Sequence, residues 1–78
     1  MATFKTYLKK LMLQKSVDLG YPLSQTEVAL ATGLSLPTIS RWYKGNVERL
    51  ESDTVAALMG YFNCPFEALV EFEAEDSE

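Results

Sequence analysis

Leu23-Ser24-Gln25-Thr26-Glu27-Val28-Ala29-Leu30-Ala31-Thr32-Gly33-Leu34-Ser35-Leu36-Pro37-Thr38-Ile39-Ser40-Arg41-Trp42-Tyr43-Lys44-Gly45 has the outline of two short helices interrupted once. Ser24 followed three residues later by Glu27 is a capping box, in which the two side chains satisfy free amide donors of the first turn. The spacing predicts a helix from Ser24 to about Thr32, with Val28, Ala31 and Leu30 turned inward. Gly33 follows where the chain needs a positive φ to reverse. Ser35 is a good N-cap for the next helix, and Pro37 is tolerated in a first turn because the missing N–H has no helical partner there. That helix is predicted to run through Ile39 and Trp42 to about Lys44, closed by Gly45 and Asn46, which both accept left-handed geometry.

The inward positions Val28, Ala31, Leu34, Ile39 and Trp42 hold the pair at a steep angle. Ala31 is expected at the crossing, where a larger side chain would push the helices apart. An angled pair of this kind leaves its second helix protruding enough to enter a DNA major groove. Trp42 reads as a core residue rather than a stacking platform.

Outward from this centre, the apolar pattern remains helical. Phe4, Tyr7, Leu8, Leu11 and Met12 fall at helical spacing and predict a first helix over about Thr3 to Leu19, stopped by Gly20 and Pro22. After a loop holding Val47 and Leu50, a fourth helix is expected over Ser52 to Phe62, with Val55, Leu58, Met59 and Phe62 inside. Asn63-Cys64-Pro65 breaks it. A short fifth helix follows over about Pro65 to Phe72, with Leu69 and Phe66 inward. No alternating stretch is long enough to argue for a sheet, so the expected fold is all-α, a compact five-helix domain over residues 1–72. Residues 73–78 form an acidic, frayed tail.

Composition narrows the function. Seventy-eight residues make one domain, and 47% hydrophobic residues is a globular proportion. The chain has no histidine and a single cysteine, Cys64, so neither a zinc site of nitrogen and sulfur ligands nor a His-based catalytic pair can be assembled. No Gly-rich phosphate loop is present. The expectation is a protein without catalytic residues, cofactor or metal. One cysteine, and an N-terminus broken by Lys5, Lys9 and Lys10 that does not read as a signal peptide, point to the cytoplasm. Cys64 itself reads as a small packed residue.

The net charge of −4 is unevenly distributed. All seven basic residues (Lys5, Lys9, Lys10, Lys15, Arg41, Lys44 and Arg49) lie within residues 1–50, against three acidic ones. Residues 51–78 carry eight acidic and no basic side chains. Screening over roughly 8–10 Å lets a basic and an acidic face coexist on one small protein, and such asymmetry suits a nucleic-acid face beside an acidic tail.

Leu23 to Ala29, Thr32-Gly33-Leu34-Ser35 and Thr38 to Gly45 together resemble the Cro and phage-repressor helix-turn-helix family, also called XRE-like. The likeness continues through Leu50, Thr54-Val55, Leu58, Asn63-Cys64 and Leu69 to Phe72, and so covers about residues 4–72. It implies a lambda-repressor-like domain with a central helix-turn-helix that binds double-stranded DNA, a transcriptional regulator and specifically a repressor. The Ser16 to Pro22 connection is longer than is usual in the family, and either extends the first helix or forms a loop beside the DNA.

The resemblance also implies roles. Leu36, Pro37, Thr38 and Arg41 take the positions that face base edges. Arg41 is suited to bidentate pairing with guanine, its alternatives being a phosphate contact or a solvated charge. Leu36 and Pro37 cannot hydrogen-bond a base; they either touch a thymine methyl or only shape the helix start. Gln25 would touch a phosphate and brace the reading helix. Ser35 (a cap first), Ser40, Lys44, Asn46 and Arg49 are the other phosphate candidates, each also readable as an ordinary solvated or capping residue. Family members usually bind as two-fold dimers. Phe66, Val70 and Phe72 are candidates for the homodimer contact, or else they cover the first helix. A protein-interaction module of the same fold, antitoxin-like or anti-repressor and working through its acidic face, is the competing reading. The two differ in whether the basic residues cluster around the reading helix.

Overall fold

The computed structural model describes residues 2–74. In chain order it contains β1 (Ala2–Thr6), α1 (Leu8–Leu19), α2 (Gln25–Thr32), α3 (Leu36–Tyr43), β2 (Asn46–Val47), α4 (Ser52–Phe62), α5 (Phe66–Leu69) and β3 (Val70–Ala74). The five helices are those expected in number and order. The all-α expectation is corrected, because a three-stranded antiparallel sheet of order β2-β1-β3 joins the two ends of the described chain.

Two elements change identity. The predicted helix from Thr3 starts only at Leu8, and Thr3 and Phe4 lie on β1. Phe4, Tyr7, Leu8 and Leu11 fit a helical period, yet Phe4 and Thr6 also alternate with Thr3 and Lys5, and so short a run fits both periods. The choice is made by partners from far along the chain. Phe4 lies opposite Val47 on one side and Phe72 on the other, and Thr6 opposite Val70. The predicted fifth helix likewise ends at Leu69, and Val70-Glu71-Phe72-Glu73-Ala74 forms the matching strand. Glu73 and Ala74, expected in a frayed tail, pair with Thr3 and Ala2. The rest of that tail, residues 75–78, lies outside the described residues.

The helix ends follow local chemistry. Ser24 and Ser35 each cap a helix by accepting a backbone N–H, from Glu27 and Thr38 respectively. Gly33 closes α2 in the left-handed conformation, φ 77°. The capping box is only half formed. The Glu27 carboxylate accepts the Tyr21 hydroxyl instead, which ties the α1–α2 connection to the first turn of α2. That connection is otherwise fixed by Ser16, whose Oγ donates to the Met12 carbonyl (2.7 Å) and accepts the Leu23 N–H (2.8 Å). The long Ser16–Pro22 segment is therefore the last turn of α1 and a tight return over it.

The core is one cluster built on Leu8, Val28, Ile39, Leu58, Leu69 and Val70, all fully or almost fully buried, with Trp42 and Val47 beside them. Ala29, not Ala31, is the buried alanine of α2; Ala31 is exposed and Leu30 is 80% exposed. Two residues along a helix turn a side chain by about 200°, so Ala29 and Ala31 point to opposite sides and cannot share the interior. Val70 is withdrawn as a dimer contact, since it is buried within its own chain. Phe72 stays largely exposed and stacks edge to face on Phe4, with ring centroids 5.5 Å apart. It covers β1 rather than α1. Phe66 was expected inward and is exposed instead.

Candidate nucleic-acid interface

α2, the Gly33 turn and α3 form a helix-turn-helix. The turn is built from side-chain bonds as well as the glycine. The Thr32 hydroxyl donates to the Val28 carbonyl (2.7 Å) and accepts the Leu34 N–H (3.3 Å). Val28 and Ala29 of α2 and Ile39 and Trp42 of α3 lie in the core, so the opposite face of α3 is left to solvent. Ser35, Leu36, Pro37, Arg41 and Lys44 are exposed there, and Thr38 and Ser40 are half-buried.

The hydroxyl-bearing and the cationic residues predicted from the sequence fall into two groups. The hydroxyl-bearing ones are engaged within the chain. Ser35 Oγ caps the Thr38 N–H and also shares a hydrogen bond of 2.8 Å with Thr38 Oγ1. Ser40 Oγ donates to Gln25 Oε1 at 3.0 Å, a bond across 15 residues that joins the first turn of α2 to the middle of α3. The cationic ones gather at the C-terminal end of α3. Arg41, Lys44, Asn46 and Arg49 line one groove of about 420 Å³ together with Val47 and Glu48. Arg41 and Arg49 also border a second, with Thr38 and Glu51. Asn46, expected to close α3, is instead the first residue of β2, opposite Lys5.

Lys44 extends the cationic region further. It also lines a groove of about 320 Å³ with Tyr7, Lys9, Lys10, Leu13 and Tyr43. Lys9 Nζ lies 5.8 Å from the Tyr43 ring centroid, within cation–π range. The first-helix residues Lys9 and Lys10 thus continue the band begun by Arg41 and Arg49. Lys5 and Lys15 line neither groove: Lys5 lies on the sheet between Asn46 and Glu71, and Lys15 sits over Tyr61.

One contributor to this site, Thr6, has no signal in the sequence. Thr6 is buried, and its hydroxyl donates to the Trp42 carbonyl in the last turn of α3. The Thr6 N–H donates to the Gly45 carbonyl at 2.8 Å. β1 therefore holds the end of α3 that carries Arg41 and Lys44. Elsewhere the chemistry is quiet. Burial pushes the Cys64 thiol up, away from thiolate, and no cluster of metal-ligating side chains occurs among the described residues. No described helix is long and apolar enough to cross a membrane.

The sequence model of the Cro/C1-type HTH DNA-binding domain matches residues 7–75. No curated protein and no solved structure matches the chain.

Proposed function

Because the chain belongs to the Cro/C1-type helix-turn-helix DNA-binding family, we propose that it is a sequence-specific reader of double-stranded DNA that places α3 in the major groove and acts as a transcriptional repressor. The observation that carries this reading is the placement of the cations. Five of the seven basic residues, Lys9, Lys10, Arg41, Lys44 and Arg49, line adjoining grooves at one end of an exposed α3, although the whole chain is acidic. A local positive surface is what attracts a polyphosphate, and net charge matters less within a Debye length.

In this reading Arg41 supplies the hydrogen-bonding base contact, since no side-chain hydrogen bond engages it among the described residues. Leu36, Pro37 and Thr38 meet base edges at the N-terminal turn. Lys44, Asn46 and Arg49 hold phosphates, and Lys9 and Lys10 extend that contact along the backbone. Ser35 acts first as a cap. Ser40 and Gln25 act first as a brace, which sets the angle of α3 and leaves the Gln25 amide N–H₂ free to donate to a phosphate. The protein works by occupying DNA in the cytoplasm, without catalysis or cofactor. A two-fold dimer doubles the half-site, with Phe72 and Phe66 as the exposed candidates for its contact.

The competing reading, a protein-interaction module, draws support from one feature. Among the described residues no strand lies beside the outer edge of β3, which carries Glu71 and Glu73. Selection from a random duplex library at low salt separates the two. The DNA reader enriches a near-palindromic motif whose binding weakens with salt and loses specificity in Arg41→Ala. Absence of any enriched duplex at low salt would overturn it and direct the search to a protein partner.

A further inference from the structure

We infer that the tip of α3 reads the 5-methyl group of pyrimidines, so that thymine and 5-methylcytosine are favoured there over uracil and unmethylated cytosine. The inference rests on the proposed placement of α3 in the major groove and specifies what its first turn recognises.

The first two residues of α3 are Leu36 and Pro37, and both are exposed, Leu36 at 45%. Neither side chain donates or accepts a hydrogen bond, and Pro37 lacks even a backbone N–H. The hydroxyls around them are turned on each other. Ser35 and Thr38 share one hydrogen bond, and the Ser35 oxygen also takes the Thr38 N–H. One turn on, Ser40 is held by Gln25. The exposed side chains that open α3 therefore present carbon to the outside: the Leu36 isobutyl group and the Pro37 ring.

On the major-groove edges of the four bases, the one apolar group is the C5 methyl of thymine. A leucine pressed against a carbonyl, a ring nitrogen or an amino group strips water from it and offers no bond in return, which is unfavourable. Against a methyl, both partners lose apolar surface to water, which is favourable. The discrimination is thus two-sided. Methylation of cytosine at C5 places the same group at the same edge of the groove. Arg41 lies four residues beyond Pro37 on the same face, about 6 Å along the axis. That distance spans about two base steps, so a guanine is expected within two steps of the methyl-bearing pyrimidine.

The test uses the enriched duplex, resynthesised with deoxyuridine for thymidine one position at a time. A second pair of duplexes places 5-methylcytosine·guanine or cytosine·guanine at any position the first series marks. Loss of one buried methyl is expected to weaken binding about fourfold. The methylated cytosine duplex is expected to bind more tightly than the unmethylated one by a similar factor. In Leu36→Ala or Pro37→Ala, each with its melting temperature checked, both ratios fall towards one. The inference is overturned if no uracil substitution weakens binding. It is also overturned if the uracil effect persists undiminished in both variants, because the methyl would then act through DNA shape. A motif that loses specificity in Arg41→Ala yet shows no methyl dependence overturns this inference alone, whereas no enrichment overturns the DNA-reading proposal with it.

Discussion

The Thr6 hydroxyl donates to the Trp42 carbonyl, and this one bond fastens the N-terminal strand to the last turn of the reading helix across 36 residues. Trp42 also accepts the Gly45 N–H at 3.3 Å, so its carbonyl serves both the helix end and the sheet. Thr6→Val keeps the shape and removes the donor. The expected loss is about 1 kcal/mol, read as a fall in melting temperature of about 4–8 °C for a domain of this size. Thr6→Ser should recover most of it. If the bond also positions α3, Thr6→Val binds the selected duplex more weakly at temperatures where it remains fully folded.

The buried alanine of α2 gives a test of the packing between α2 and the core. Ala29→Leu forces extra methylenes into a filled interior and should destabilise by about 1–3 kcal/mol. Ala31→Leu lies on the exposed face and should leave the urea midpoint nearly unchanged. Equal effects of the two substitutions would contradict the observed rotation of α2.

Salt dependence resolves which cations meet phosphate. Each of Lys44→Ala and Arg49→Ala is expected to reduce the slope of log affinity against log salt by about one. Lys15→Ala should leave the slope alone, since Lys15 lies over Tyr61, 4.7 Å from its ring centroid, and lines neither groove of the band. A comparable change in the Lys15 variant would mean that the DNA runs over a different face.

Alkaline stability is linked to the sheet. The Tyr7 hydroxyl donates to a Glu71 oxygen, and this bond, with some burial and the negative charge of Glu71 and Glu73, raises the Tyr7 pKa above its ordinary value of 10.0. A folded-state value above the unfolded one means that the contribution is complete below about pH 10 and is lost as pH rises through the higher folded value. Tyr7→Phe should therefore fall less steeply in stability above pH 10 than the parent, as followed by denaturant midpoints across that range. The Tyr21 hydroxyl, bonded to Glu27, is shifted in the same direction, and Tyr21→Phe should behave likewise.

The helix-turn-helix was legible because its signals are local. Ser24, Gly33, Ser35 and Pro37 each act within one turn of their own position, and the structure uses Ser24 and Ser35 as caps and Gly33 as the left-handed exit. The bounds of α4, Ser52–Phe62, were legible for the same reason, with Asn63 at φ 52° ending the helix before Pro65. The sheet was not legible. Thr3-Phe4-Lys5-Thr6 satisfies a helical and a strand period at once, and its partners β2 and β3 lie about 40 and 70 residues along the chain. Two-stranded pairings gain stability only when a core assembles against them, so no local rule could select them.

The same division holds at the site. The sequence by itself determined that a capped, proline-started helix with Arg41 and Lys44 near its end follows a glycine turn, because caps, turns and charges are properties of neighbouring residues. Tertiary structure alone decided which alanine is buried, that Val70 is core, that Thr6 holds the end of α3, and that Lys9 and Lys10 join Lys44 in one band. Those outcomes depend on how elements distant in sequence rotate and close on one another. A one-residue turn of a helix or a strand pairing across the whole chain changes them without changing any local signal.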